Sequence, residues 1–312
     1  MRPVAPAAGT APRPAGVLCL GEALVDLIPH QALADVSAAR EFVPHFGGAV
    51  ANVAVLAARA GAHVALAGGA GRDAWGRWLR ARLEHEGVDT SLFELIDGAQ
   101  TQLALVVVDA DGEPAYEIYG EGIATVVHAL ADRLESAVQR SAALFLSSNT
   151  LAGEEERVVM QRARELALED AKPVIFDPNL RLHRWPSPAE AAAAANTCVP
   201  GALLVRATVA EAALMTGESD PERAASALVE AGARLAVITL GPDGALLRGE
   251  LNADVPGVPA RVLSTAGAGD ALTGVLLARL AAAGFDPEAV ARSLPEAVEA
   301  SARACERWGA LE

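Results

Sequence analysis

The sequence predicts an α/β fold in which helices cover a mostly parallel central sheet that carries a small β flap. Three observations carry this. Short β-branched or leucine-rich runs alternate with longer helical patterns along the 312 residues. Several of the runs are apolar at every position, as strands buried on both faces are. One section, Leu103–Tyr119, breaks the alternation with two strand-like runs in succession.

Taken in order, residues 1–16 are rich in Pro and Ala and lack the apolar stretch that a signal peptide needs, so they read as a disordered leader. Residues 17–312 read as one domain, with no internal repeat and no linker long enough to divide it. Val17–Leu20 is the first strand, Ala49–Ala60 a helix, Val64–Ala67 a strand and Ala74–Glu86 a helix. Leu103–Val108 and Ala115–Tyr119 are then joined by Asp109-Ala110-Asp111-Gly112-Glu113-Pro114, a hairpin signal that predicts antiparallel flap strands over the sheet edge. Strand Ala143–Ser147, helix Glu154–Glu169 and strand Val174–Asp177 resume the alternation. Ser187-Pro188-Ala189-Glu190 is a capping box with Pro at the first helical position, and it starts the helix Ala189–Thr197. Strand Leu203–Arg206, helices Val209–Thr216 and Pro221–Ala231, and strands Leu235–Leu240 and Ala245–Leu247 follow. The small residues Ser264 to Gly269 lead through Asp270 into a helix over Ala271–Ala283 that ends at Gly284.

Composition excludes several functions. With 25 Lys+Arg against 40 Asp+Glu the net charge is −15, a field that repels nucleic acid and anionic membrane, so neither is expected as a partner. No run reaches the length of a membrane span. Lys172 is the only lysine, and it stands between Ala171 and Pro173. A Walker-type phosphate loop, a protein-kinase strand lysine and a Schiff-base lysine in an apolar pocket therefore have no candidate. Cys19, Cys198 and Cys305 are far apart and odd in number, which suits reduced thiols in the cytoplasm.

Two glycine-rich segments carry chemistry. Small residues before a helix leave its first N–H groups bare, and the dipole adds positive charge there, so Ala266-Gly267-Ala268-Gly269 suits an anion such as a phosphoryl group in flight. Asp270 beside it is placed to accept a proton from an attacking hydroxyl; the alternative is a helix cap over a tight turn. Gly69-Ala70-Gly71-Arg72-Asp73-Ala74 follows a strand, opens a helix and fits the dinucleotide pattern G-x-G-x-x-A, which taken alone points to an oxidoreductase.

Several segments together resemble the ribokinase-like sugar kinases of the PfkB family, from Val17 to Leu311. Gly47-Gly48-Ala49-Val50-Ala51-Asn52, Leu56 to Gly61, Gly71-Arg72-Asp73-Ala74-Trp75-Gly76 and Glu86 to Thr90 are similar to the N-terminal signature. Thr265-Ala266-Gly267-Ala268-Gly269-Asp270 is similar to the C-terminal one, D-T-x-G-A-G-D, at all but its first position. Gly21 to Pro29, Asp177 to Arg181 and Trp185-Pro186-Ser187 are most similar to the fructokinase-like branch. The resemblance implies a three-layer sandwich with a lid, and ATP- and Mg²⁺-dependent phosphorylation of a sugar. It implies Asp270 as base, with the N–H groups from Ala266 through Gly267 and Ala268 to Gly269 as anion hole. Asp26, Gly47, Gly48, Asn52, Asn179 and Arg181 would hold the sugar and face the phosphate region. Thr208, Thr239, Gly241, Gly244, Gly267 and Gly269 would meet the nucleotide, and Glu211 would hold Mg²⁺ through water. In the family such lids often pair in dimers, so the resemblance implies a homodimer through the lid.

Three positions depart from the family. Thr208 stands for Asn in N-x-x-E and still offers an oxygen. Ser264 replaces a carboxylate that helps bind a monovalent cation, which leaves K⁺ activation open. Thr125 stands where fructokinase-like sequences often have Asp, which leaves the sugar open. A fructose-like acceptor is the first expectation; 2-keto-3-deoxygluconate, ribose or a nucleoside are the nearest rivals, and a non-catalytic sugar-binding relative is more distant.

Overall fold

The computed structural model describes residues 16–33, 35–120 and 132–311, so the leader expectation, Gly16 apart, and the Thr125 departure lie outside the described residues. The elements in chain order are β1 (Val17–Leu20), β2 (Leu24–Ile28), β3 (Val43–Gly47), α1 (Ala49–Arg59), β4 (Val64–Gly71), α2 (Ala74–His85), β5 (Phe93–Ile96), β6 (Leu103–Val108) and β7 (Pro114–Tyr119). After a helix over 132–140, here α3, come β8 (Ala143–Ser147), α4 (Glu154–Glu169), β9 (Val174–Asp177), α5 (Pro188–Asn196), β10 (Leu204–Thr208), α6 (Val209–Thr216) and α7 (Pro221–Glu230). β11 (Leu235–Thr239), β12 (Gly244–Gly249), β13 (Ala253–Pro256), α8 (Ala268–Ala282) and α9 (Glu288–Ala304) complete the chain.

Nine strands form one sheet in the order β13-β12-β11-β10-β9-β8-β1-β4-β5. Its pairings from β5 to β11 are parallel, and β12 and β13 add an antiparallel edge. Alternation along the strands explains why the runs are apolar throughout. Val17 and Cys19 of β1 and Phe145 of β8 enter the core beneath α1, α2, α8 and α9. Leu18, Leu20 and Leu146 enter the opposite core beneath α3 to α7. Each strand is thus buried twice, and the sheet becomes the middle of three layers.

The predicted hairpin forms as β6 and β7. Two strands that the pattern does not announce, β2 and β3, join it in a second sheet of order β3-β2-β6-β7. Leu24, Ile28, Ala104, Val106 and Val108 make its small core. β2 follows β1 after only Gly21 to Ala23, so the chain crosses from the large sheet to the small one at that point. α9 is also additional to the predicted helices; Pro295 lies within it.

The rival dinucleotide pattern is closed by its own aspartate. Asp73 caps α2, accepting from the Gly76 N–H at 2.9 Å, and it also accepts from the Thr101 N–H and hydroxyl at 2.9 and 2.7 Å. Its carboxylate thereby occupies the helix N-terminus that a pyrophosphate would need. Lys172 sits where β9 begins, its ammonium donating to the carbonyls of Gln139 and Ser141 at 2.7 and 2.6 Å.

Candidate active site

Parallel strands aim their carboxyl ends at one edge, and ligands of open α/β sheets bind there. Asp177, Thr208 and Thr239 end β9, β10 and β11 on that edge, and α8 begins against them.

α8 starts three residues before its predicted first residue, at Ala268, so Asp270 stands inside the first turn rather than ahead of it. The N-cap is Gly267, in the left-handed region at φ 81°, and no side chain caps the helix. Asp270 is therefore not a cap. Its carboxylate instead accepts from the Asn52 amide at 2.8 Å and the Asn179 amide at 3.3 Å. Asn52 comes from the first turn of α1. Asn179 follows β9 at φ 41°, a conformation that Asn tolerates better than most residues. Burial pushes the Asp270 carboxyl up to about 7, with Asp177 adding to the rise, while the Asn52 hydrogen bond and the Arg181 and Arg206 charges pull it down.

The predicted anion hole is divided. The Ala266 N–H donates to the Ser264 hydroxyl at 3.1 Å and the Ala268 N–H to the Thr265 carbonyl at 3.1 Å. The N–H groups of Gly267 and Gly269 have no such partner among the described residues and remain for a ligand.

Asp26 lies in the middle of β2 and is buried, pushed up to about 7 by that burial, with Arg181 opposing and Asp270 and Glu22 adding. Gly47 lets it sit there, because a Cβ on Gly47 would strike the Asp26 carboxylate. Gly48, at φ 97°, begins α1 where a Cβ would meet the Glu22 carbonyl oxygen at 2.7 Å. The Arg181 guanidinium carbon lies 4.5 Å from the centre of the Tyr116 ring. Asp26, Gly48, Asn52, Asn179, Arg181 and Asp270 thus line one small cavity between the two sheets.

The remaining predicted residues meet in adjoining clefts. Thr208, Thr239, Gly241, Gly244, Ala268 and Gly269 line a cleft of about 950 Å³ whose far wall is apolar, with Val258, Leu272 and Val298. Thr208 and Glu211 form a capping box on α6, and Glu211 also accepts from the Leu180 N–H at 2.8 Å. Its carboxylate faces a polar cleft shared with Arg181, Thr208, Gly267 and Asp270. No group of three or more metal-ligating side chains occurs among the described residues. A carboxylate lining a polar cleft suits a hard cation held mainly by nucleotide phosphates and its own waters, which is how Mg²⁺ binds.

Sequence reasoning missed four residues of this region. Glu22 accepts from the Ala49 N–H at 2.9 Å, Tyr116 supplies the platform under Arg181, and Asp177 accepts from the Thr273 hydroxyl at 2.7 Å. Arg206 lies buried between the clefts; the available signal was a charge inside the apolar run Leu203–Ala207.

Comparison with known proteins finds sugar kinases. A profile described as pfkB family carbohydrate kinase matches residues 15–310. Fructokinase-1 of Oryza sativa subsp. japonica is 34% identical over 266 residues, which cover 85% of this chain and 82% of the rice protein. The structure of fructokinase from Vibrio cholerae O395 bound to fructose, ADP and calcium ion superposes with a TM-score of 0.80 at 30% identity, covering 95% of this chain and 94% of that one. That of aminoimidazole riboside kinase from Salmonella enterica, complexed with aminoimidazole riboside and an ATP analog, gives 0.78 at 25% identity, covering 95% of each chain.

Proposed function

This chain belongs to the pfkB carbohydrate kinase family, and on that premise we propose that it transfers the γ-phosphoryl group of ATP to a primary hydroxyl of a fructose-like sugar, with Asp270 as base. The observation that carries this is the placement of Asp270, oriented by two amides, in the wall between the small cavity and the phosphate cleft.

The sugar occupies the small cavity, where Asp26, Asn52 and Asn179 hold hydroxyls, Gly48 lines the wall without a side chain, and Gly47 leaves room for the Asp26 carboxylate. The acceptor hydroxyl oxygen attacks the γ-phosphorus as its proton passes to Asp270. The bond from that phosphorus to the β,γ-bridging oxygen breaks, and its electron pair leaves on ADP. Because the transition state is loose, its charge is met by fixed donors: the N–H groups of Gly267 and Gly269, the α8 dipole and Arg181. Glu211 and Thr208 are the residues that would hold Mg²⁺ through water, and the ion would neutralise phosphate charge. Thr239, Gly241 and Gly244 border the nucleotide.

A compact sugar is favoured over a nucleoside by Tyr116. It is the only aromatic residue among those described lining the cavity, and Arg181 already covers one face of its ring, which leaves a single face against which a base could stack. The small sheet serves as lid to a single domain over residues 17–312, and its edge strands β3 and β7 are the surface through which a homodimer forms. Three free, scattered cysteines suit the cytoplasm.

The test is ADP release measured with fructose, ribose, 2-keto-3-deoxygluconate and adenosine, with the parent and Asp270→Asn side by side. Fructose-dependent turnover in the parent alone is expected. Equal turnover in both removes Asp270 as the base, and preference for adenosine removes the sugar reading.

A further inference from the structure

Arg206 is an arginine whose surroundings use only part of it. It interrupts the apolar strand β10 and is 5% exposed. One terminal nitrogen donates to the Thr239 hydroxyl at 2.9 Å. The other stands 3.4 and 3.5 Å from the two oxygens of Asp177, at the far limit of a hydrogen bond, while Asp177 takes a shorter bond from Thr273 at 2.7 Å. The Nε–H has no partner among the described residues. A guanidinium has five N–H donors in a fixed fork, and a buried one left half-engaged is costly unless a ligand completes it.

Its position says which ligand. Arg206 lines both the large cleft with Thr239, Gly241 and Gly244 and the polar cleft with Arg181 and Asp270. The small cavity, Asp270, the polar cleft, Arg206 and the large cleft therefore follow one another in that order. Gly269, in the first turn of α8, presses against the fork; a Cβ there would lie 2.5 Å from a terminal nitrogen of Arg206. A helix N-terminus with unpaired N–H groups thus meets a guanidinium on the side away from the acceptor cavity. That is a pincer for an anion, in a chain of net charge −15 whose one lysine is bound to carbonyls at the other end of β9.

We propose that Arg206 grips the β-phosphate of the nucleotide and takes up the charge that gathers on the β,γ-bridging oxygen as its bond to the γ-phosphorus breaks. Asp270 serves the attacking oxygen and Arg206 the departing one. This rests on the kinase reading above, but its first measurement needs no turnover.

Calorimetric binding of ADP, adenosine and fructose is compared for the parent, Arg206→Met and Arg206→Lys, with melting temperatures and steady-state kinetics alongside. Arg206→Met is expected to bind ADP weaker by about tenfold or more, the scale of one charge-assisted contact, with adenosine and fructose within about twofold of the parent. Arg206→Lys, a point charge without the fork, is expected to fall between them in ADP affinity and to lose about tenfold or more in kcat at unchanged KM for fructose. Loss of all three ligands together with a lowered melting temperature in both variants identifies a structural ion pair with Asp177 and overturns the proposal. If Arg206→Met does not fold, Arg206→Lys decides, and ADP affinity and kcat both within about twofold of the parent overturn it. A parent that phosphorylates none of the sugars while its ADP affinity still depends on Arg206 removes the kinase reading and supports the assignment of this arginine.

Discussion

Asp270 holds its proton up to about pH 7 in the folded protein, whereas an unfolded aspartate gives it up near pH 4. Between those values the folded form binds the extra proton, so this group's contribution to stability falls as pH rises through the window and stays low above it. Asp270→Asn removes the buried charge. Its melting temperature is expected to exceed the parent's by a few degrees at pH 8, with the gain vanishing toward pH 4, while kcat falls by about 10²–10⁴. Differential scanning fluorimetry across pH and a turnover assay check both halves. If Asp270 is the base proposed above, the same proton is expected to set an acid limb on the rate near pH 7, since only the carboxylate can accept from the hydroxyl. Because the Asn52 amide favours the charged form, Asn52→Leu is expected to move that limb to higher pH in a pH–rate profile. At this scale the sequence was legible where a residue sits in a short motif, as Asp26, Asn52 and Asp270 do. Arg206 was not legible, because one charge in an apolar strand does not say that two clefts and a helix start converge on it.

The start of α8 depends on two glycines for different reasons. Gly267 has φ 81°, and a Cβ there would also strike Ala310 near the end of the chain. Gly267→Ala is expected to destabilise the protein by about 1–3 kcal/mol, read as a shift in urea midpoint. Gly269 is constrained by the Arg206 side chain instead of by its own backbone. Boundaries were legible where capping chemistry marks them. Ser187 caps α5 and Thr208 caps α6 through their hydroxyls. α9 was hidden because Pro295 divides its pattern into halves, each too short to stand out. β2 was hidden because Asp26 breaks an apolar run of only five residues, and β3 because Pro44 and His45 interrupt it.

Across the whole molecule the small cavity borrows walls from several elements: Asp26 and Tyr116 from the small sheet, Asn179 from just after β9 and Asp270 from the first turn of α8. The hairpin tip also reaches the phosphate side, where the Gly112 carbonyl accepts from the Thr265 N–H at 2.8 Å and the Glu113 carboxylate from its hydroxyl at 3.1 Å. With the substrates bound as proposed, each would finish a wall for the other. Fructose and ADP together are expected to raise the melting temperature by more than the sum of their separate shifts in a thermal-shift titration, and an additive response counts against closure of the lid. The three-layer plan was legible because doubly buried strands leave a compositional trace. The four-stranded small sheet was not, since its pairing of β2 with β6 joins segments about 80 residues apart, and local pattern carries no record of such a meeting.

The isolation of Lys172 has a chemical corollary. Its ammonium is the only side-chain amine in the protein, and it lies at the start of β9, whereas Asp177 and the clefts lie at the other end. Apart from the α-amine, an amine-directed ester can therefore anchor a dye or a solid support only on that side, away from Asp177 and the clefts, and turnover is expected to survive coupling at Lys172. A dicarbonyl reagent directed at guanidinium groups should do the opposite, silencing the enzyme unless ADP shields it. Charge that most proteins divide between two side-chain types is here separated by reactivity into a handle and a target.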